Sequence, residues 1–339
     1  MAITIIGAGA IGGVIAGYLA KSGENITLVD VNEAHIQRIN KHGLRVEALT
    51  EDFTTQINAV TMEEFMEMDL YLDIVFLAVK AQHTETAILQ IKNKLNNESM
   101  VVSLQNGLCE QVIANLIGAD RTIGSFVNIF SDYIGPGHIK YGGAGSLYIG
   151  ELDGSFTNRL EVIHRKLLNW RDAKKTSNIQ GYLWGKMSYA SVLIATALTD
   201  ERIVDVLKPV ENREVLIELA SEALVVAHQE GVEPEEFDDW IPSLIYPKEQ
   251  RNWTKINSQF DKHINRLLTY KKVKTGFWRD LKIHKRKTEV PYYLEPVIEL
   301  AKKHNIATPL TCSLLGMIKE IENEDRLMTV DNLEILKTI

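Results

Sequence analysis

The stretch Ile3-Thr-Ile-Ile-Gly-Ala-Gly-Ala-Ile-Gly-Gly13 decides how the rest of the chain is read. Thr4, Ile5 and Ile6 have the β-branched composition of a buried strand, Gly7, Gly9 and Gly12 stand in Gly-x-Gly-x-x-Gly spacing, and Val14 to Ala20 continue as a helix. Gly7 permits the tight strand-to-helix turn, Gly9 removes a side chain where backbone must approach a pyrophosphate, and Gly12 lets the helix pack closely on the strand. Ala10, Ile11 and Gly12 open that helix, so their amides face whatever anion sits at its N-terminus. Gly23 ends the helix and Asn25 to Val29 reads as a second strand. Asp30 closes it, about twenty residues beyond the glycines, where a ribose-binding acid belongs. The pattern predicts a dinucleotide site rather than a secretion signal, because the apolar run has no basic leader and is broken by glycines on a strand-turn-helix schedule.

Asp30 also bears on which dinucleotide. A carboxylate there accepts hydrogen bonds from both ribose hydroxyls of NAD and repels the extra phosphate of NADP, and Val31-Asn32-Glu33 supplies no arginine for that phosphate. The residues therefore favour NAD(H).

At 339 residues the chain is long enough for two cores. A net charge of -8 argues against general nucleic-acid binding, and two cysteines, Cys109 and Cys312, make no disulfide framework and no metal-ligand spacing. A reduced, cytoplasmic compartment with no metal is expected. The apolar run Ala190 to Leu198 is too short for a membrane span and reads as a buried helix.

After Asp30 the pattern predicts a helix over 33–41, a hairpin-like excursion over 44–60, and a strongly apolar strand over 71–79 that runs into Lys80. A helix over 89–95 precedes a strand from Met100 that ends in Gln105-Asn106-Gly107. Lys80 and Asn106 thus emerge beyond strand ends, where open parallel sheets bind ligands. Short β pieces follow over 122–127, 137–141 and 146–149, with turns at Gly135-Pro136-Gly137 and Gly142-Gly143. From Tyr182 the pattern is helical, notably over 211–231, 292–304 and 313–321. The fold class is an α/β Rossmann-type dinucleotide-binding domain, residues 1–178, followed by an all-α C-terminal substrate or lid domain, residues 179–339. A cleft between two such domains is a preferred place for a substrate.

Taken together, Gly7-x-Gly9-x-x-Gly12, Val79-Lys80, Gln105-Asn106-Gly107, Pro136-Gly137 ahead of Ile149-Gly150, the helix start at Trp184-Gly185-Lys186, and Lys287-Thr288-Glu289-Val290 resemble the ketopantoate reductase family over nearly the whole chain. The resemblance implies reduction of a 2-oxo acid, 2-dehydropantoate or a related branched acid, by a nicotinamide cofactor that is NADP(H) by family default. It implies Lys186 as proton donor, Glu289 as the substrate-binding glutamate, Asn106 and Lys80 around the nicotinamide and substrate carboxylate, and Thr275 in place of a serine near that carboxylate. An ammonium suits such a role: it stabilises the charge growing on oxygen as hydride reaches carbon, and it can surrender a proton.

Departures from the family pattern keep alternatives open. Two positions one and two turns beyond Lys186, where the family often carries asparagines, are Ala190 and Ile194. With Asp30 they point to an NAD-dependent 2-hydroxy-acid dehydrogenase acting on a bulkier, more apolar acid. Eight Lys or Arg against Asp280 between Lys271 and Lys287, with Phe277 and Trp278 interleaved, read as an anion funnel or a solvated face rather than a nucleic-acid surface. A protein that senses dinucleotide without turnover is the alternative of another class. Apolar faces in the helical half are compatible with a homodimer.

Overall fold

The structure, a computed structural model, describes residues 1–269 and 273–339, without the side chains at 143 and 144. It divides into two compact units, Met1–Ile179 and Gln180–Ile339.

The strands of the first unit are β1 (Ile3–Ile6), β2 (Ile26–Asp30), β3 (Leu44–Ala48), β4 (Asp52–Thr55), β5 (Asn58–Thr61), β6 (Leu72–Leu77), β7 (Leu95–Ser103), β8 (Thr122–Gly135), β9 (His138–Glu151) and β10 (Lys174–Lys175). Its helices are α1 (Ala10–Lys21), α2 (Glu33–His42), α3 (Met62–Glu67), α4 (Thr84–Ile91), α5 (Cys109–Ile117) and α6 (Asn158–Leu167). All ten strands join one sheet in the order β4-β3-β9-β8-β7-β6-β1-β2-β5, with β10 beside β9. Both neighbours of β1 run parallel to it. The chain leaves β1 for β2 and β5, then returns through α3 to β6 on the other side, so the strand order reverses at β1. In such a sheet the ligand lies beyond the carboxyl ends of the strands at that reversal.

The strands are apolar on both faces because helices cover both. Ile3, Ile5, Ile74, Phe76 and Val102 belong to one core with Val14, Ile15 and Leu19 of α1, Ile36 and Ile39 of α2, and Leu160 and Ile163 of α6. Their alternates Ile6, Val75, Leu77 and Val101 belong to a second core with Phe65 of α3, Ile88 and Ile91 of α4, and Ile113 and Ile117 of α5. Period-two alternation sorts the side chains, and the absence of polar alternates marks a sheet buried from both sides.

Several local expectations are corrected. The predicted 89–95 helix lies earlier, as α4, and Leu95 already begins β7. Of the 44–60 excursion, β3 and β4 form the antiparallel hairpin, whereas β5 leaves it to pair parallel with β2. The turn expected at Gly142-Gly143 is a register shift inside the long β8–β9 hairpin, whose tip is Gly135-Pro136-Gly137. Local glycine signals cannot tell a bulge from a turn, since both need a backbone without side-chain hindrance.

In the helical part of the chain α7 (Ile179–Thr196) is followed by α8 (Ile203–Leu207), α9 (Val210–Gln229), α10 (Trp253–Leu268), α11 (Gly276–Lys282), α12 (Val290–Lys303), α13 (Pro309–Glu322) and α14 (Asp331–Lys337). α9 is the hub, packing against α8, α12, α13 and α14. Its Glu222 carboxylate is half-buried and accepts the N–H groups of Leu310 and Thr311 and the Thr311 hydroxyl, which caps α13. Among the described residues no helix is long and apolar enough to cross a membrane, and no group of three or more His, Cys, Asp or Glu is placed to hold a metal ion.

Candidate active site

The three glycines of the opening motif occupy three different environments. Gly7 has φ +101°, and a Cβ built on it would lie 2.7 Å from the carbonyl carbon of Ala78, just past β6. A Cβ on Gly12 would lie 1.9 Å from the Gly7 oxygen. Gly9 meets nothing within 4 Å. So Gly7 and Gly12 are required by packing inside the protein, while the space over Gly9 is open beside the first amides of α1, the place a pyrophosphate needs.

Asp30 closes β2 next to this loop. Its Oδ2 accepts the Ala8 N–H at 2.7 Å and its Oδ1 the Asn32 N–H at 2.9 Å. Each oxygen engages one backbone donor and, with two lone pairs, can take a ribose hydroxyl besides. The open cradle and the anchored carboxylate together fit a dinucleotide: Gly9, Ala10, Ile11 and Gly12 would hold the pyrophosphate and Asp30 the adenosine ribose.

Lys80 follows β6 and Asn106 follows β7, which lies parallel beside β6. Both residues are half-buried at the same edge of the sheet as the glycine loop. Gln105, to which the sequence pattern alone assigns no role, donates through Nε2 to the Val79 oxygen at 2.9 Å and to the Thr84 hydroxyl at 2.8 Å. It ties the segment that carries Lys80 to the segment that carries Asn106. A buried amide between two strand ends is the signal that could have revealed it.

Lys186 is not at a helix start. α7 begins at Ile179, so Lys186 sits two turns in, half-buried. Gly185 explains the preceding small residue, since a Cβ there would lie 2.4 Å from the Glu235 oxygen, and the Glu235 N–H bonds the Gly181 oxygen at 2.9 Å. The segment near 235 therefore lies directly on α7, one residue before the lysine. Farther along, the buried Ser188 hydroxyl accepts from Trp240 Nε1 at 2.9 Å, and the Tyr189 hydroxyl meets His263 Nε2 at 2.7 Å. Ala190 and Ile194 are buried. Glu289 is half-buried at the N-cap position of α12 without a side-chain capping bond, while the neighbouring Thr288 hydroxyl accepts from Val290 N–H and donates to Glu322. Glu289 is thus not engaged in capping its own helix. Thr275 is: its buried hydroxyl accepts the Trp278 N–H and caps α11.

Several cations of the described part of the basic stretch are paired with acids. Asp200 pairs with Lys274 at 2.9 Å and Lys282 at 2.8 Å and accepts from Trp278 Nε1, contacts that hold its carboxyl far below the usual range. Asp280 pairs with Arg286 at 2.7 Å, and Lys285 stands 3.7 Å from Glu324. Lys271 and Lys272 lie outside the described residues.

His263 gives the helical part a pH dependence. Burial, reinforced by the Arg266 guanidinium beside its Nδ1 and opposed by Asp238, pushes the imidazole down to about 4. The unfolded chain takes up this proton near the ordinary value of 6.5. Its contribution is complete above that pH and is lost as pH falls toward 4, about 3 kcal/mol in all. Chemical denaturation of the protein and of H263Q between these pH values is the check. The variant should show a flatter profile, and equal slopes would remove His263 from the acid response.

A Rossmann-type domain with an open phosphate cradle, followed by a helical region with a half-buried lysine, defines the class of nicotinamide-dependent oxidoreductases. The family described as ketopantoate reductase PanE/ApbA matches residues 3–154, and its C-terminal counterpart matches residues 178–322. The 2-dehydropantoate 2-reductase of Pyrococcus abyssi is 28% identical, over 94% of this chain and 97% of its own length. Among solved structures, a PanE/ApbA family ketopantoate reductase from Ralstonia eutropha JMP134 superposes with a TM-score of 0.79 at 22% identity, covering 96% of this chain and 99% of that one. D-mandelate dehydrogenase with NADH and anilino(oxo)acetate gives 0.80 at 21% identity, with the same coverage. The chain belongs to the ketopantoate reductase family and is an NAD(P)-dependent oxidoreductase.

Proposed function

We propose that the protein reduces a 2-oxo acid, 2-dehydropantoate or a related branched acid, to the 2-hydroxy acid with NADH, with Lys186 as the proton donor. The bound nicotinamide supplies hydride to the carbonyl carbon. As the C=O π bond breaks and its electrons collect on oxygen, the Lys186 ammonium stabilises the oxyanion and gives it a proton, leaving a neutral amine that recovers its proton from water. Asn106 and Lys80 position the nicotinamide end and the substrate carboxylate, and Glu289 accepts from the substrate hydroxyl. The C-terminal half acts as the substrate domain.

The observation that carries the cofactor choice is the Asp30 carboxylate, fixed by two backbone N–H groups at the end of β2. An NADP phosphate would meet that charge with no cation in Val31-Asn32-Glu33 to offset it. A bulkier, more apolar 2-oxo acid is the second reading, favoured by Ala190 and Ile194.

Following reduced-nicotinamide absorbance with NADH and NADPH in parallel, against 2-dehydropantoate and a panel of branched and aromatic 2-oxo acids, tests these assignments. NADH should be preferred by about tenfold or more, and D30A should erase the preference. A preference for NADPH would overturn the role given to Asp30. Oxidation of NADH by aromatic acids with 2-dehydropantoate inert would establish the second reading. Tight binding of dinucleotide without turnover would leave a sensor.

A further inference from the structure

His35 lies in the first turn of α2, nearly fully buried, and both of its ring nitrogens are engaged by backbone groups. Nδ1 faces the Gly137 N–H at 2.8 Å, at the tip of the β8–β9 hairpin, and Nε2 faces the Ala8 oxygen at 2.9 Å, inside the glycine loop. An amide N–H can only donate and a carbonyl can only accept, so the two partners dictate a neutral ring with its proton on Nε2. Burial, outweighing the Ala8 carbonyl and Asp30, lowers its proton affinity and keeps it neutral. The hairpin tip is itself held, because the Gly137 oxygen accepts the Arg45 N–H at 2.9 Å. The Tyr133 ring meets the imidazole edge-on with centroids 5.1 Å apart.

The consequence follows from the planarity of the peptide bond. In a trans peptide the C=O of one residue and the N–H of the next point in opposite directions. The Ala8 carbonyl is drawn inward by His35, so the N–H of Gly9 is turned outward, toward the space that Gly9 leaves open. On the preceding peptide, Asp30 holds the Ala8 N–H. The loop is thereby clamped from both sides in the orientation that offers an amide to an anion. The opposite orientation would present a carbonyl oxygen to a phosphate.

We infer that His35 is a positioning residue for the dinucleotide, fixing the Ala8–Gly9 peptide so that the Gly9 amide faces the pyrophosphate. The inference rests on the reading of the glycine loop as a dinucleotide site. It gives the β8–β9 hairpin a task, since that hairpin supplies the N–H that selects the ring's tautomer.

Nitrogen-15 NMR of the imidazole at neutral pH and calorimetric titration of NADH into wild type, H35Q and H35L test it. Wild type should show a protonated Nε2 and an unprotonated Nδ1. H35L, which can hold neither partner, should bind NADH about tenfold or more weakly. H35Q, whose amide can both donate and accept, should recover most of that loss. An Nδ1-protonated or doubly protonated ring, undiminished binding by folded H35L, or no recovery in H35Q would each overturn the role. If H35L does not fold, the tautomer and the affinity of H35Q decide. Wild type that binds neither NADH nor NADPH while showing the expected tautomer would instead sink the dinucleotide reading on which the inference stands.

Discussion

Lys186→Ala is expected to lower kcat about 10³-fold while leaving NADH affinity within about twofold of wild type. The size follows from what the lysine does: without an ammonium, the alkoxide must form with no charge opposite it and take its proton from water. Affinity is spared because the proposed dinucleotide contacts, Gly9 to Gly12 and Asp30, all belong to the first unit. Lys186→Arg should recover little, since a guanidinium keeps the charge but is a far weaker acid with a different shape. Steady-state kinetics and calorimetry on the same preparations separate the two effects. Unchanged kcat in the alanine variant would dismiss Lys186 as the proton donor.

Alanine substitutions at the three motif glycines should separate folding from binding. At Gly12 the new methyl group would lie 1.9 Å from the Gly7 oxygen, and at Gly7 a side chain would both strain φ +101° and press on Ala78. Each should cost roughly 3 kcal/mol or more and be visible as a lowered unfolding midpoint. Gly9→Ala should fold as wild type, because Gly9 has φ -67° and its Cβ meets nothing. It should nonetheless lose about 100-fold or more in NADH affinity, since the methyl group would fill the place of the pyrophosphate. Normal affinity in folded G9A would place the dinucleotide elsewhere. The contrast is informative because a purely structural motif would tolerate alanine best at Gly9 and show no loss there.

How much of this was legible in the sequence depends on the range of the interactions involved. The opening strand, turn and helix were, because each glycine answers a steric demand raised by near neighbours or by a ligand. The apolar strands expected over 71–79 and from Met100, which are Leu72–Leu77 and Leu95–Ser103 in the structure, the helical second half, and the emergence of Lys80 and Asn106 beyond strand ends followed from periodicity and from the geometry of parallel sheets. The expected helix start at Trp184-Gly185-Lys186 lies instead inside α7. Gly185 is small because the segment near 235 packs on it, a contact about fifty residues away along the chain that local pattern cannot register. The pairing of the basic stretch, whose sequence reads as an anion funnel or a solvated face, was illegible for a similar reason. Asp200, which pairs with both Lys274 and Lys282, lies more than seventy residues earlier.

By itself, then, the sequence determined the dinucleotide fold, its succession by a helical half and which residue types stand at the strand ends, since these depend on spacing and on side-chain chemistry within a few turns. Only the tertiary structure decided which glycine faces open space, that Thr275 caps α11, and that His35 joins Ala8 to Gly137, 102 residues away from the imidazole. A hydrogen bond between distant segments is set by where the sheet and its helices bring them. No local periodicity encodes that meeting.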